Sequence, residues 1–202
     1  MSSNYGINRR SPFDRLGYFD STKCFMHDLM HVVPEGVLND CSALLLQYLI
    51  LDPVIKLNLV DVNRKISTLK SSREFTVSPQ IRLNEVLELK KLSFSSSEMM
   101  ALSMCLPIAL ADFVSIDNPN FANYLLLLEI ISSLQCYSFQ DKDLILLATN
   151  IEMHNRNHVL LYPKDVDSVS KAITPKLHTL LHFPSQIRLF GPPRYSRCFR
   201  YE

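Results

Sequence analysis

Glycine is scarce in this sequence, and neither sign of charge is in excess. The 202 residues include four glycines, and no glycine-rich phosphate-binding loop of the GxGxxG or Walker type is present. Lysine and arginine total 21 and aspartate and glutamate total 20, for a net charge of +1. This balance excludes a strongly basic nucleic-acid-binding surface over the whole protein, although a local basic patch is still compatible with it.

Paired cysteines and long apolar segments are also missing. The five cysteines are Cys24, Cys41, Cys105, Cys136 and Cys198. They form no CxxC motif, so we expect free thiols in a reducing compartment rather than a disulfide scaffold. The uncharged segment 99–111 is interrupted by Pro107 and is too short to span a bilayer. Since the first ten residues are polar and unlike a signal peptide, we expect a soluble intracellular protein, nuclear or cytoplasmic, without a membrane partner.

What the sequence does contain is typical of a folded, mostly helical protein. Apolar residues make up 47% of the chain and charged residues 20%, which are ordinary globular values. Apolar spacing of three and four residues, together with proline and N-cap positions, predicts several helices. They cover residues 35–51, 98–114 with a kink at Pro107, 141–161, 165–172 and 175–190, and a further helix starts at Asn118 and continues at least to Ser132. Residues 54–93 have no clear periodicity.

Three pairs of histidines are spaced four residues apart, which would place each pair on one face of a helix. They are His27 and His31, His154 and His158, and His178 and His182. The first pair lies in His-Asp-Leu-Met-His, a variant of the HExxH motif of zinc hydrolases. A zinc hydrolase is therefore one remote hypothesis. For each pair, the simpler interpretation is a surface or half-buried histidine pair without a metal.

Positive charge is concentrated near the C-terminal end. Between residues 171 and 202 the only acidic residue is Glu202. The basic residues of this segment are Lys171, Lys176, Arg188, Arg194, Arg197 and Arg200. We call these six residues the C-terminal basic patch. Since aromatic residues alternate with its arginines, the patch could bind a phosphate backbone through its four arginines; the alternative is a solvated, positively charged tail.

Two stretches of the chain carry more specific motifs. They comprise residues 5–12, 26–31 and 34–37, and residues 174–178, 181–184, 190–193 and 199–202. Together they resemble the transposase-like proteins that animal genomes carry in many copies, and they are similar to the CACTA (EnSpm) group of cut-and-paste DNA transposases. The resemblance covers nearly the whole chain, and it is specific at both ends and looser in the middle.

The resemblance implies an RNase H-like catalytic core that cuts DNA by phosphoryl transfer. Such enzymes place two aspartates and one glutamate around two divalent cations, Mg²⁺ or Mn²⁺, which bind the attacking and leaving oxygens. By this resemblance Asp28, which precedes Glu35-Gly36, is the second aspartate, and Glu202, which follows the Gly-Pro-Pro turn, is the glutamate. Both would be catalytic and metal-binding residues, and the family inserts a helical domain between them.

We therefore expect a mostly α fold in which a helical insertion is flanked by remnants of an RNase H-like core. Residues 1–35 would form an N-terminal arm and the core segment with Asp28, residues 36–173 the insertion, and residues 174–202 the return segment to Glu202. Only 27 residues precede Asp28, too few for the sheet that should carry the first aspartate. The expected function is that of a transposase fragment without activity of its own, which binds DNA weakly and without sequence preference and acts with other transposase chains. A helical DNA-binding or protein-binding module adopted by the host is the alternative.

The resemblance also implies a zinc site, in which a CxxC after the second aspartate joins a histidine pair shortly before the glutamate. His178 and His182 match the position of that pair. The CxxC is absent and Cys41 stands alone, so this pattern does not complete a four-ligand zinc site. The alternative is that the two histidines form a helix-face pair that packs against the segment leading to Glu202.

Overall fold

The described residues are mostly helical. The computed structural model describes residues 12–20, 24–69, 80–162 and 174–198. The helices are α1 (Leu29–Val32), α2 (Leu38–Leu51), α3 (Leu59–Thr68), α4 (Leu83–Leu87), α5 (Ser96–Leu110), α6 (Pro119–Leu134), α7 (Asp141–Leu161), α8 (Pro175–Leu180) and α9 (Phe183–Phe190). These ranges contain no strand, which confirms the prediction of a mostly α fold. Among the described helices, none combines the length and the apolar character needed to cross a membrane.

Helices α1 and α2 and the turn between them lie at the centre of the fold. A π-helical turn, Val33–Val37, connects the two helices without interruption. The prediction that a helix starts at Pro34 is wrong, because helical structure begins at Leu29 and Pro34 lies inside the π-helical turn. The missing amide hydrogen of Pro34 changes the hydrogen-bond spacing locally instead of ending the helix. Helix α2 then contacts α4, α5 and α6, and Leu38 and Leu45 on it are fully buried.

Helices α5 and α6 begin at the capping signals that the sequence carries. Ser95 caps α5 and forms a reciprocal capping box with Glu98, while the side chain of Asn118 accepts the first amide hydrogens of α6. Helix α6 packs against both α2 and α7. The predicted start of α6 and the predicted bounds of α7 are confirmed, and α5 ends at Leu110, before the predicted Val114.

The predicted helix 175–190 is two helices. Helix α8 ends at Leu180, a turn follows, and α9 begins at Phe183. Pro184 explains the break, because it cannot donate an amide hydrogen to the carbonyl of Leu180. Helix α9 ends at Gly191, whose φ of 82° favours glycine. The predicted helix 165–172 lies outside the described residues.

Residues 25–36 and 174–198 lie side by side although more than 130 residues separate them in sequence. Helix α8 packs against α1 and against the π-helical turn. The ammonium group of Lys176 donates a hydrogen bond to the carbonyl of Glu35 over 3.1 Å. Gln186 joins α9 to the segment before α1. Its side-chain Oε1 accepts a hydrogen bond from the backbone amide of His27 over 3.1 Å, and its side-chain Nε2 donates to the carbonyl of Phe25 over 3.4 Å. The described parts of the two motif-bearing stretches therefore meet.

Candidate functional site

Asp28 lies where these two segments meet. It is the N-cap of α1 and accepts the amide hydrogen of His31 at its Oδ2 over 3.0 Å. The Nδ1 of His31 lies 2.5 Å from the same oxygen. The other oxygen, Oδ1, accepts the amide hydrogen of Cys198 over 2.9 Å. Three donors thus fix the carboxylate, and one of them comes from a residue 170 positions later in the chain.

These hydrogen bonds decide the charge of Asp28. Partial burial raises the pKa of the carboxyl group, but the hydrogen bonds from His31 and Cys198 outweigh burial and hold the pKa below its usual value. Asp28 is therefore ionised at neutral pH. A carboxylate has about four lone-pair positions, so the three donors leave one of them, on Oδ1, for a further partner.

Among the described residues, those around Asp28 do not supply the set of oxygen ligands that Mg²⁺ prefers. Mg²⁺ takes oxygen ligands, whereas the neighbours of Asp28 that could ligate a metal are the imidazole of His31 and the thiol of Cys198. Glu202 and Arg200 lie outside the described residues. The ligands that the structure brings together at this point therefore amount to one carboxylate oxygen, one nitrogen and one sulfur.

The histidines are not paired as a zinc hydrolase requires. His27 precedes α1 and His31 lies within it, so the two imidazoles share no helical face. His27 lies instead against His182, with ring centroids 6.0 Å apart. Burial lowers the pKa of His27, and the neighbouring His182 lowers it further. His178 and His182 do come together, with their Nε2 atoms 3.3 Å apart, at the turn between α8 and α9.

The described arginines of the C-terminal basic patch make contacts within the protein. Arg188 is paired with Asp141 over 3.2 Å at the surface. Arg194 donates to the carbonyl of Gln135 over 2.8 Å, and its guanidinium lies 3.4 Å from the centroid of the Tyr137 ring. Arg197 contacts the side-chain oxygen of Gln135 over 3.5 Å. Since Arg194 and Arg197 hold the C-terminal segment against the connection between α6 and α7, they are less available to a phosphate backbone than the sequence suggests.

A second group of potential metal ligands lies in the interior, and sequence reasoning missed it. The Sγ atom of Cys41 on α2 lies 4.0 Å from Nε2 of His154 and 3.8 Å from Nδ1 of His158, both on α7. All three residues are buried. The spacing of the two histidines was visible in the sequence, but nothing in the sequence linked them to Cys41, because α2 and α7 are more than 100 residues apart.

Burial sets the protonation of this interior group. It lowers the pKa of His154 to about 4, with His158 lowering it further and a hydrogen bond to Asn123 opposing the shift. Burial also raises the pKa of the Cys41 thiol, and the nearby Asp40 raises it further. The imidazole of His154 is therefore neutral and the thiol protonated at neutral pH.

Comparison of the chain with protein-family models, with curated proteins and with solved structures found no match.

Proposed function

We propose that the chain carries part of the catalytic core of a cut-and-paste DNA transposase, with Asp28 and Glu202 as metal-binding carboxylates. The observation that carries this proposal is the hydrogen bond from the amide of Cys198 to Asp28. Four residues span at most about 14 Å, so chain connectivity keeps Glu202 within that distance of Cys198. This length allows the carboxylate of Glu202 to reach that of Asp28, as a shared metal site requires.

The packing of the two motif-bearing ends supports the same proposal. In the resembled family a helical insertion leaves the core after the second aspartate and returns before the glutamate. Here Gly36 packs directly on Lys176, so closely that a Cβ atom at Gly36 would lie 2.1 Å from Cδ of Lys176. Helices α2 to α7 lie in sequence between these two residues. The proposal assigns those helices to the insertion, and the segments around Asp28 and Cys198 to remnants of an RNase H-like core.

We expect these 202 residues alone not to cleave DNA. Two-metal phosphoryl transfer needs several carboxylates around the cations, and two are available here if Glu202 contributes. The remaining aspartate would come from further transposase sequence or a partner chain. Incubation of the purified chain with plasmid DNA and Mg²⁺ or Mn²⁺ should give no nicking; nicking that the substitution Asp28→Asn abolishes would contradict this part of the proposal.

Binding of Mn²⁺ tests the shared site directly. Mn²⁺ broadens the NMR signals of amides close to it, so addition to the ¹⁵N-labelled chain should broaden the amides of His31 and Cys198. The variants Asp28→Asn and Glu202→Gln should each weaken this effect. Asp52→Asn is the matched control, because Asp52 also accepts two backbone amide hydrogens, from Val54 and Ile55. Broadening that is insensitive to both site variants, or no broadening near Asp28, would contradict the proposal.

A further inference from the structure

Cys41, His154 and His158 have the arrangement of a three-ligand transition-metal site. The two imidazoles lie one helical turn apart on α7, so they project from the same face, and both present a ring nitrogen to the same sulfur atom. The ligand atoms of the three residues lie within 4.8 Å of one another. Tetrahedral zinc with Zn–S near 2.3 Å and Zn–N near 2.0–2.1 Å would separate sulfur and nitrogen by about 3.6 Å. The observed 3.8 and 4.0 Å differ from this by a few tenths of an ångström.

A hydrogen bond fixes His154 in the tautomer that a metal requires. Nδ1 of His154 lies 3.2 Å from the carbonyl oxygen of Asn123 on α6. An oxygen acceptor at this position requires the proton on Nδ1, which leaves the lone pair of Nε2 directed toward Cys41. Metal-binding histidines commonly donate their second ring nitrogen to a backbone carbonyl or a carboxylate in this way. The Nδ2 of Asn123 donates in turn to the carbonyl of His154 over 3.3 Å, which ties α6 to this turn of α7.

A cavity of about 160 Å³ lies beside the group. Polar and apolar residues line it, among them Cys41, His158, Asp40 and Tyr162. The cavity leaves room for a fourth ligand, and Asp40 at its edge supplies a negative charge near a cation.

We infer that Cys41, His154 and His158 bind a zinc ion whose fourth position faces this cavity and takes a water molecule or a small anion. The ligand set of one sulfur and two imidazoles suits zinc and excludes Mg²⁺ or Ca²⁺, which take oxygen ligands. Binding replaces the thiol proton of Cys41, which is released to the solvent. The ion would connect α2 directly to α7, two helices that otherwise pack mainly through α6. This site is separate from Asp28 and does not depend on the proposed transposase function.

Cobalt substitution of the full 202-residue chain tests the site with a spectroscopic signature. Co²⁺ bound by a thiolate and imidazoles in tetrahedral geometry gives a thiolate-to-metal charge-transfer band and intense visible bands. We expect both in the wild-type chain, with a stoichiometry of one ion and with loss of both on addition of one equivalent of Zn²⁺. Their absence from a wild-type chain shown to be helical by circular dichroism would overturn the inference without any variant.

Matched variants locate the ion. Cys41→Ser should remove the charge-transfer band, and His158→Gln should weaken Co²⁺ and Zn²⁺ binding at least tenfold. Two controls should retain the band: Cys198→Ser, which alters the thiol beside Asp28, and the double variant His178→Gln with His182→Gln, which alters the other close histidine pair. A band that survives Cys41→Ser, or one lost in either control and retained in His158→Gln, would place the ion elsewhere and overturn the inference. Because the controls include the Asp28 region, this result is independent of the Mn²⁺ experiment.

Discussion

The contact between Gly36 and Lys176 gives a quantitative prediction for the substitution Gly36→Ala. Gly36 is buried in the π-helical turn, and an added Cβ would lie 2.1 Å from Cδ and 3.1 Å from Cβ of Lys176. Relief requires the Lys176 side chain to move, and since its own Cβ is also close, α8 must shift as well. The movement breaks the hydrogen bond from Lys176 to the carbonyl of Glu35.

The expected loss can be estimated from its parts. Overpacking costs about 1–3 kcal/mol, and the lost hydrogen bond of a charged donor adds about 1 kcal/mol at a partly exposed site. Alanine in place of glycine in a helix returns about 1 kcal/mol. The net destabilisation is about 1–3 kcal/mol, which lowers Tm by roughly 2–4 °C per kcal/mol for a chain of this length.

Thermal unfolding followed by circular dichroism measures this change. Gly17→Ala is the matched control, because no atom lies within 4 Å of a Cβ at Gly17, and its Tm should stay unchanged. Adding Lys176→Ala to Gly36→Ala removes Cδ and Cγ of the lysine and should recover part of the lost stability. A Gly36→Ala variant as stable as the wild type, or one that Lys176→Ala does not rescue, would refute the reasoning.

Three further predictions concern other parts of the chain. Asp52→Ala should lower Tm more at pH 7 than at pH 3. The amides of Ile55 and Val54 lower the pKa of Asp52, so the carboxylate stabilises the fold at neutral pH and this stabilisation is lost as the pH falls through the lowered pKa. An equal change in Tm at both pH values would count against this. Arg194→Ala should cost about 1–2 kcal/mol through loss of the hydrogen bond to Gln135 and the stacking on Tyr137, measured by urea unfolding, whereas the exposed Arg156→Ala should be nearly neutral. DNA binding by the C-terminal basic patch should be weak. A plot of the logarithm of the binding constant against the logarithm of the salt concentration should have a slope shallower than about −3.6, the value for four phosphate contacts. A steeper slope in fluorescence anisotropy, or affinity unchanged when all four arginines of the patch become alanine, would contradict this.

Local signals predicted the middle of the fold well. Ser95 with Glu98 and Asn118 with Pro119 are capping patterns whose effect depends on a few neighbouring residues, so the starts of α5 and α6 could be predicted from sequence. Helices α3 and α4 were missed for different reasons. Helix α4 has five residues and depends on packing against α2. Helix α3 has Asn58 as its N-cap and an apolar face that includes Leu59 and Val62, so its local signal was present in the sequence and was overlooked among the neighbouring charged residues. The break between α8 and α9 was missed although Pro184 marks it.

The candidate sites depend on contacts that no local pattern encodes. The sequence singled out Asp28 by resemblance, but the partners of its carboxylate, above all the amide of Cys198, follow from the packing of residues 174–198 against residues 25–36. The interior ligand group was missed for the same reason, since Cys41 meets His154 and His158 only after α2, α6 and α7 have packed together. For the arginines of the C-terminal basic patch, composition left both a nucleic-acid contact and a solvated tail open, and in the fold Arg194 and Arg197 contact the connection between α6 and α7.

The most direct test of the proposed transposase core is the distance between the carboxylates of Asp28 and Glu202. A crystal structure of the chain grown with Mn²⁺, with the ions located by anomalous scattering, would measure it. We expect the two carboxylates to lie within about 10 Å of each other and to bind Mn²⁺ through oxygens of both residues, as a pair of cations about 4 Å apart requires. Carboxylates on opposite faces of the molecule, with no cation at Asp28, would contradict it.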